Sequence, residues 1–372
     1  MLVTSARLPD PAFWRGKRVL LTGHTGFKGA WAALWLANMG AIVTGFALAP
    51  NTEPSLHALA GIDADVMSII GDLRDLTAVE AAVTRADPEI VLHLAAQPIV
   101  KAAIADPVAT MASNVMGTTH LLQALRSARS LKTVLIVTTD KVYSNAGDGH
   151  AYIEGDRLGG KDPYSASKAA TELVTSSFAA TYFVPLGVRV ATARGGNVIG
   201  GGDFSPDRIV ADIVRSTMNN TELTLRMPEA TRPWQHVLDC VAGYLLYAER
   251  LASGETLPAA LNFGPAPARA ITVGELASRL LTALGKPVTF EVRPEARSVE
   301  MTMLAIDASL ARRSLFWQDR ITGDDLIGWT ADWYAEVLAG GSARAITLRQ
   351  IAAYCDLRAN APAAEPHALI QG

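Results

Sequence analysis

Residues 19–31 read VLLTGHTGFKGAW. Three apolar residues and a threonine give way to glycines at Gly23, Gly26 and Gly29, and an apolar run resumes at Ala30 and Trp31. The pattern predicts a strand, a tight loop and the start of a helix. Glycine there lets backbone N–H groups approach a pyrophosphate, and the helix N-terminus favours its charge. A bare glycine match is weak, but one that follows a strand, opens a helix and begins a βαβ unit is strong.

The same rhythm continues outward. KRVLLTG (17–23) reads as the first strand, and FKGAWAALWLANMG (27–40) as a helix stopped by Gly40. AIVTGF (41–46), VMSII (66–70), EIVLHLAA (89–96) and TVLIVTT (133–139) read as further strands with helical stretches between them. Apolar runs without alternation suit strands buried on both faces of a parallel sheet. The expected fold is therefore α/β, a Rossmann-type doubly wound parallel sheet with right-handed crossovers. From about residue 200 the chain turns to Gly-, Pro- and charge-rich loops. The expected division is 14–200 for a dinucleotide-binding domain carrying the catalytic residues and 201–355 for a smaller, mainly substrate-binding lobe with some chain returning. The Ala/Pro-rich tail 356–372 is expected to fray.

Bulk properties exclude several classes. With 49% hydrophobic and 19% charged residues the 372-residue chain can bury a large core. A formal charge of −3 gives no reason to expect nucleic acid or an anionic membrane as partner. Cys240 and Cys355 are the only cysteines, which fits a reducing, cytoplasmic setting and excludes a disulfide framework. No charge occurs between Lys28 and Glu53, a span long enough for a membrane helix, but Asn38, Gly40 and Gly45 break it into a helix and a strand. None of the seven histidines has zinc-site spacing, so no metal is expected. Two helical stretches, ASNVMGTTHLLQAL (112–125) and YSASKAATELVTSSFAATYF (164–183), are unusually apolar and are expected to pack on the sheet and to pair with a second copy in a homodimer.

Tyr164 and Lys168 in DPYSASKAATE (162–172) lie four apart, on one face of a helix. An ammonium beside a phenol favours the phenolate, making Tyr164 a base for an alcohol proton. In VTTDKVYSN (137–145) an acid and a potential base, Asp140 and Lys141, stand together where a strand leaves the core. In a parallel sheet the ligand lies beyond that end. On these residues alone the pair reads either as a solvated ion pair closing the strand or as the acid and base of a dehydration. The second strand ends TGFALAPNT (44–52), with neither a carboxylate for ribose hydroxyls nor a cation for a 2′-phosphate.

The Gly-x-x-Gly-x-x-Gly spacing resembles the extended short-chain dehydrogenase/reductase superfamily. Within it the chain is similar to the CDP-glucose 4,6-dehydratases from about residue 16 to 250, and more weakly to about 355. The resembling stretches are GKRVLLTGHTGFKGAW, ALAPNTEPSL, VLHLAAQPIV, NVMGTTHLL, VTTDKVY, LGGKDPYSASKAATELV, GGNVIGGGDFSPDRIV and RPWQHVLD. The related dTDP-glucose enzymes carry Asp-Glu where this chain has Asp140-Lys141, so the lysine points to the CDP-sugar branch. The resemblance implies NAD held by Gly23, Thr25, Gly26, Phe27 and Gly29, by Asp72 and Leu73 near the adenine, and by Ala95, Ala96 and Gln97. It implies Thr139 at the C4 oxygen, Tyr164 as its base and Lys168 on the nicotinamide ribose. Asp140 becomes the acid at C6, Lys141 the base at C5, and the product CDP-4-keto-6-deoxy-glucose. Asn197, Arg208, Arg232 and, less directly, Asn262 are implied to contact the sugar nucleotide. Arginine suits a diphosphate because its fork binds two oxygens at once. His236 and Trp234 are open to packing or substrate contact.

The chain departs from the family in the loop SNAGDGHAYIEGDRLGG (144–160), at Gly196 and Phe204, and around 291–317, where Glu295-Ala296 and Ile306-Asp307 are what remains of a longer pattern. These departures are expected to surround the sugar and nucleotide rather than the chemistry. A 4-epimerase or 4-reductase with a charged pair after Thr139, or a cofactor-sensing Rossmann protein, are the competing readings, and fold alone does not separate them.

Overall fold

A computed structural model describes residues 6–266, 271–293 and 304–357. Seven strands form one parallel sheet: β1 (Arg18–Thr22), β2 (Ile42–Ala47), β3 (Met67–Ile70), β4 (Ile90–His93), β5 (Thr133–Thr139), β6 (Arg189–Gly195) and β7 (Ala260–Phe263). Their spatial order is β7-β6-β5-β4-β1-β2-β3. The chain runs outward from β1 to β3 and then crosses back to β4. The switch point, where such sheets bind ligands, thus lies between β1 and β4.

Both faces of the sheet are apolar, and the two-residue period of a strand divides them. Val19, Leu21, Leu92, Leu135 and Val137 join one core. Leu20, Val91, Val134 and Ile136 join the other. The first core is covered by α1 (Phe27–Asn38) and the later helix Val237–Ala252. The second is covered by Leu76–Ala86 (α2), Gly117–Leu125 (α3) and the far end of Pro163–Phe178 (α4). The helix Val237–Ala252 is α5 below. Every residue of α1 from Gly29 to Leu36 is buried, because it lies between the sheet, α5 and the C-terminal helix Ala343–Asp356. That accounts for the charge-free stretch after Lys28: a buried helix, then strand β2. Among the described residues no helix is long and apolar enough to cross a membrane.

Beyond residue 200 the chain returns to the sheet twice, through α5 and through edge strand β7. The regular structure of the remainder is mostly helical and adds short parallel pairs: Asn197–Ile199 with Trp234–His236, Thr224–Leu225 with Glu291–Val292, and Ala151–Tyr152 with Ala305–Ile306. The tail falls outside the described residues except for Asp356 and Leu357, as do Glu295 and Ala296. The two helical stretches read from sequence contain π turns, at Ala112–Met116 and Ala179–Phe183, which periodicity does not reveal.

Candidate active site

The glycine loop is built by close approach. Gly23 has φ +80°, and a Cβ there would meet Ala95 N at 2.7 Å; at Gly29 it would lie 2.0 Å from Gly23 O. The loop after β1 is thereby pressed against the loop after β4, at the switch point. Gly26 precedes α1 without any side-chain cap, so the first N–H groups of the helix remain available to an anion. Thr25 Oγ1 donates to Leu48 O at 2.9 Å, and Phe27 flanks Gly200. Ala95 N donates to Thr22 Oγ1 at 3.2 Å; Ala96 beside it is half-buried. Gln97 is engaged by the protein itself: its Nε2 donates to Thr110 and its Oε1 accepts from Ile99 N. Asp72 sits beyond β3, where Arg74 Nε donates to it at 2.8 Å and holds its carboxyl below the usual range. Leu73 is buried, with its carbonyl 2.9 Å from His120 Nδ1.

Helix α4 starts with Asp162 as N-cap, accepting from Ser165 N at 3.0 Å, and Pro163 in the first turn. This fixes Tyr164 and, one turn on, Lys168 against the end of β5. Both are buried. Thr139 ends β5, caps the 3₁₀ turn Asp140–Val142, and donates to Asp140 Oδ1 at 3.0 Å. Thr139, Asp140, Lys141, Tyr164 and Lys168 therefore meet at the carboxyl end of β5.

The electrostatics follow from burial. Asp140 is 1% exposed, and its Oδ2 has no hydrogen-bond partner. Burial pushes its carboxyl up; Lys141, the Thr139 hydroxyl, Arg232 and Lys28 offset this only in part. A carboxyl so placed is biased toward the protonated form, a proton donor. Lys168 is lowered to about 7, first by burial and then by Lys28. Tyr164 departs from expectation. Burial raises its phenol, against the Thr139 hydrogen bond and Arg208, while the Lys168 ammonium donates to Val137 O at 3.0 Å. The expected lowering of Tyr164 by Lys168 is not what this arrangement gives, because desolvation outweighs the cations around the phenol.

Three of the four residues read as substrate contacts gather here. The Arg208 and Arg232 charges act on Tyr164 and Asp140 respectively, and Arg208 Nη2 also donates to Pro98 O at 3.3 Å. Asn197 pairs in register with Trp234, two residues beyond Arg232. Asn262 does not belong with them. It is fully buried, its Oδ1 accepts from Tyr143 at 2.6 Å, and its Nδ2 donates to Tyr152 O and Asp307 O. With donor and acceptor both engaged, it holds β7 against the 143–152 segment instead of a nucleotide. His236 and Trp234 are packing residues: His236 caps α5 between Trp31 and Trp329, and Trp234 Nε1 donates to Ile271 O. Phe204 packs edge-on against Trp333 and Tyr334. Gly196 corrects another expectation. A Cβ there would lie 3.2 Å from Asp140 Oδ2, so this departure touches the chemistry directly.

Sequence reasoning missed Lys28. Its ammonium stands 5.8 Å from the Tyr244 ring centre and acts on Asp140, Lys168 and Cys240, linking the glycine loop to the candidate catalytic groups. The available signal was a lone cation opening a long charge-free stretch. Also missed was a buried network behind the site. Glu172, one turn after Lys168, accepts from Arg194 Nε and Nη2 at 3.0 and 2.9 Å, and from Thr138 and Thr192. Arg194 Nη1 donates to Tyr143.

A model of the GDP-mannose 4,6 dehydratase family matches residues 20–330. The chain is 40% identical over 351 residues, 93% of its length and 98% of the relative's, to the CDP-glucose 4,6-dehydratase of Salmonella typhimurium.

The chain belongs to the GDP-mannose 4,6-dehydratase family.

Solved structures agree on the fold. A UDP-glucose 4-epimerase of Thermus thermophilus in complex with NAD superimposes with a TM-score of 0.73 at 26% identity, covering 85% of this chain and 98% of that one. A dTDP-glucose 4,6-dehydratase of Bacillus anthracis in complex with NAD gives 0.72 at 22%, covering 86% and 96%. These solved neighbours include both an epimerase and a dehydratase, so the fold alone does not separate the two activities.

Proposed function

We propose that the chain is an NAD-dependent nucleotide-sugar 4,6-dehydratase converting CDP-glucose to CDP-4-keto-6-deoxy-glucose. The observation that carries this reading is Asp140: a buried carboxyl biased toward protonation, hydrogen-bonded to Thr139 and followed by Lys141. A 4-epimerase has no use for a proton donor at C6. The 40% identity to a CDP-glucose 4,6-dehydratase supports the same choice of sugar nucleotide.

The pressed glycine loop and the uncapped start of α1 fit a dinucleotide. Gly23, Thr25, Gly26, Phe27 and Gly29 would hold its pyrophosphate, with Asp72, Leu73, Ala95 and Ala96 along the rest. NAD, when bound, would supply the acceptor for the C4 hydride and its donor to C6. Tyr164 takes the C4 hydroxyl proton while Thr139 holds that oxygen. The resulting 4-ketone acidifies the C5 proton, which Lys141 removes and gives back to C5 when hydride reaches C6. Asp140 protonates the departing C6 hydroxyl, and water leaves. Arg208 and Arg232 bind the diphosphate, and Asn197 the sugar nucleotide beside them. Residues 14–200 supply the cofactor and catalytic groups, and 201–355 mainly the substrate side.

Product mass is the test. Purified protein given a panel of nucleotide sugars should convert CDP-glucose to a product lighter by one water, with no added reductant. An unchanged mass would mean epimerisation, and consumption of added reductant would mean a 4-reductase; either would displace the dehydratase reading. Calorimetric titration is expected to give tighter binding of NAD than NADP, since β2 ends without a cation for a 2′-phosphate. Tighter NADP binding would overturn that part.

The enzyme acts in the cytoplasm as a homodimer in this reading. Val108, Met116 and Leu173, on adjoining helical segments, are 77%, 48% and 64% exposed, an apolar surface that a second copy would cover. Sizing at micromolar concentration should give twice the 39.4 kDa chain mass. A monomer would remove the interface.

A further inference from the structure

The geometry points to a divalent transition-metal site, of the Zn²⁺ type, formed by His24, His57 and Asp63. These residues come from three separate elements: the glycine loop, the helix Leu56–Leu59 and the 3₁₀ turn Ile62–Ala64. One ligand atom from each lies within 4.8 Å of the other two. Sequence spacing hid the cluster, because His24 lies far from the other two in the chain.

Several independent features favour a ligand set over simple packing. His24 Nε2 lies 2.8 Å from Ser68 Oγ, while its buried Nδ1 has no hydrogen-bond partner. With Nε2–H donated to Ser68, the Nδ1 lone pair is free, the arrangement in which a metal-bound histidine is oriented by its other nitrogen. His57 Nε2 is also buried and lies 3.1 Å from Asp63 Oδ1, yet makes no aligned hydrogen bond. Two buried ring nitrogens without hydrogen-bond partners, together with a carboxylate, are an expensive way to fill a core. Zinc bonds of about 2.0–2.1 Å place tetrahedral ligands about 3.3 Å apart, close to the His57–Asp63 separation. The Asp63 side chain is 66% exposed and can swing without disturbing the core, leaving a fourth position open to water. Two imidazoles and one carboxylate select Zn²⁺, Co²⁺ or Ni²⁺ over Mg²⁺ or Ca²⁺. The His24 ring lies against Gly45, where any Cβ would strike it, so its position is fixed by β2. A metal there would fasten the glycine loop to the 56–64 segment.

The test is titration of the chelator-treated full chain with ZnCl₂ by calorimetry, with visible spectra of the Co²⁺ form. One ion per chain is expected, with four-coordinate Co²⁺ bands. Loss of an outer partner costs about 10–100-fold in metal affinity. Ser68→Ala should therefore fall in that range, and His57→Phe should lose at least about 100-fold. His150→Ala, at a surface pair with Asp156, should change nothing. Far-UV circular dichroism and cofactor titration establish that His57→Phe is folded. If it is not, Asp63→Asn takes its place, with a loss of at least about tenfold expected. Zn²⁺ binding as tight in the folded ligand variant as in the parent chain, or no one-to-one binding in the parent, would overturn the site.

Discussion

Asp140→Asn is expected to oxidise its substrate and then stall. The substitution keeps size and polarity but removes the proton that Asp140 would give to the C6 hydroxyl. Neither that proton nor a base at Lys141 would be needed to take hydrogen from C4, the task proposed for Tyr164 and Thr139. Substrate should therefore bind, the absorbance of reduced cofactor should appear, and the 4-keto hexose should accumulate with its C6 hydroxyl intact. A general acid contributes about 10²–10⁴-fold in rate, and overall turnover should fall within that range. Tyr164→Phe should instead give no reduced cofactor. The two variants thus separate oxidation from elimination. Normal turnover in Asp140→Asn, or loss of oxidation as complete as in Tyr164→Phe, would show that Asp140 is not the acid. The local geometry favours a clean outcome, since Oδ2 has no hydrogen-bond partner to lose and Oδ1 accepts from Thr139.

Arg194→Met should be among the most destabilising single changes in the chain. Arg194 and Glu172 are each about 5% exposed and joined by two hydrogen bonds, 2.9 and 3.0 Å long. Burial works against the charged guanidinium, but the Glu172 bonds and charge outweigh it and hold Arg194 well above its ordinary range. Removing one partner of a buried pair strands the other charge and costs about 3–5 kcal/mol. Arg194→Met also takes a donor from Tyr143, whose phenol burial has pushed up to about 12. Denaturant unfolding should show the loss as a lower midpoint. Pairing it with Glu172→Met should restore most of it, because neither charge then remains buried. If Arg194→Met unfolds like the parent chain, Glu172 is stabilised by its threonines alone.

Much of this molecule was legible because its information is local. The strand, glycine loop and helix of residues 18–38 follow from periodicity and from what glycine permits. Four-residue spacing puts Tyr164 and Lys168 on one helical face whatever surrounds them. The break in the charge-free stretch after Lys28 needed only Asn38, Gly40 and Gly45. Strand ends mark the ligand side of a parallel sheet, so Thr139, Asp140 and Lys141 could be placed together from order alone.

Other properties depend on residues distant in the chain. Asn262, in a strand that reads like any other, is closed off by Tyr143, Tyr152 and Asp307, and only the return of β7 to the sheet brings these together. Lys28 becomes a neighbour of Asp140 and Lys168, and Gly196 a neighbour of Asp140, by the same crossing of loops. His24, His57 and Asp63 converge because β1 and β2 are adjacent. The direction in which burial pushes the Asp140 carboxyl and the Tyr164 phenol was beyond any motif. Composition and spacing specify which groups are titratable, but desolvation is summed over everything packed around them, and that sum exists only once the chain has closed.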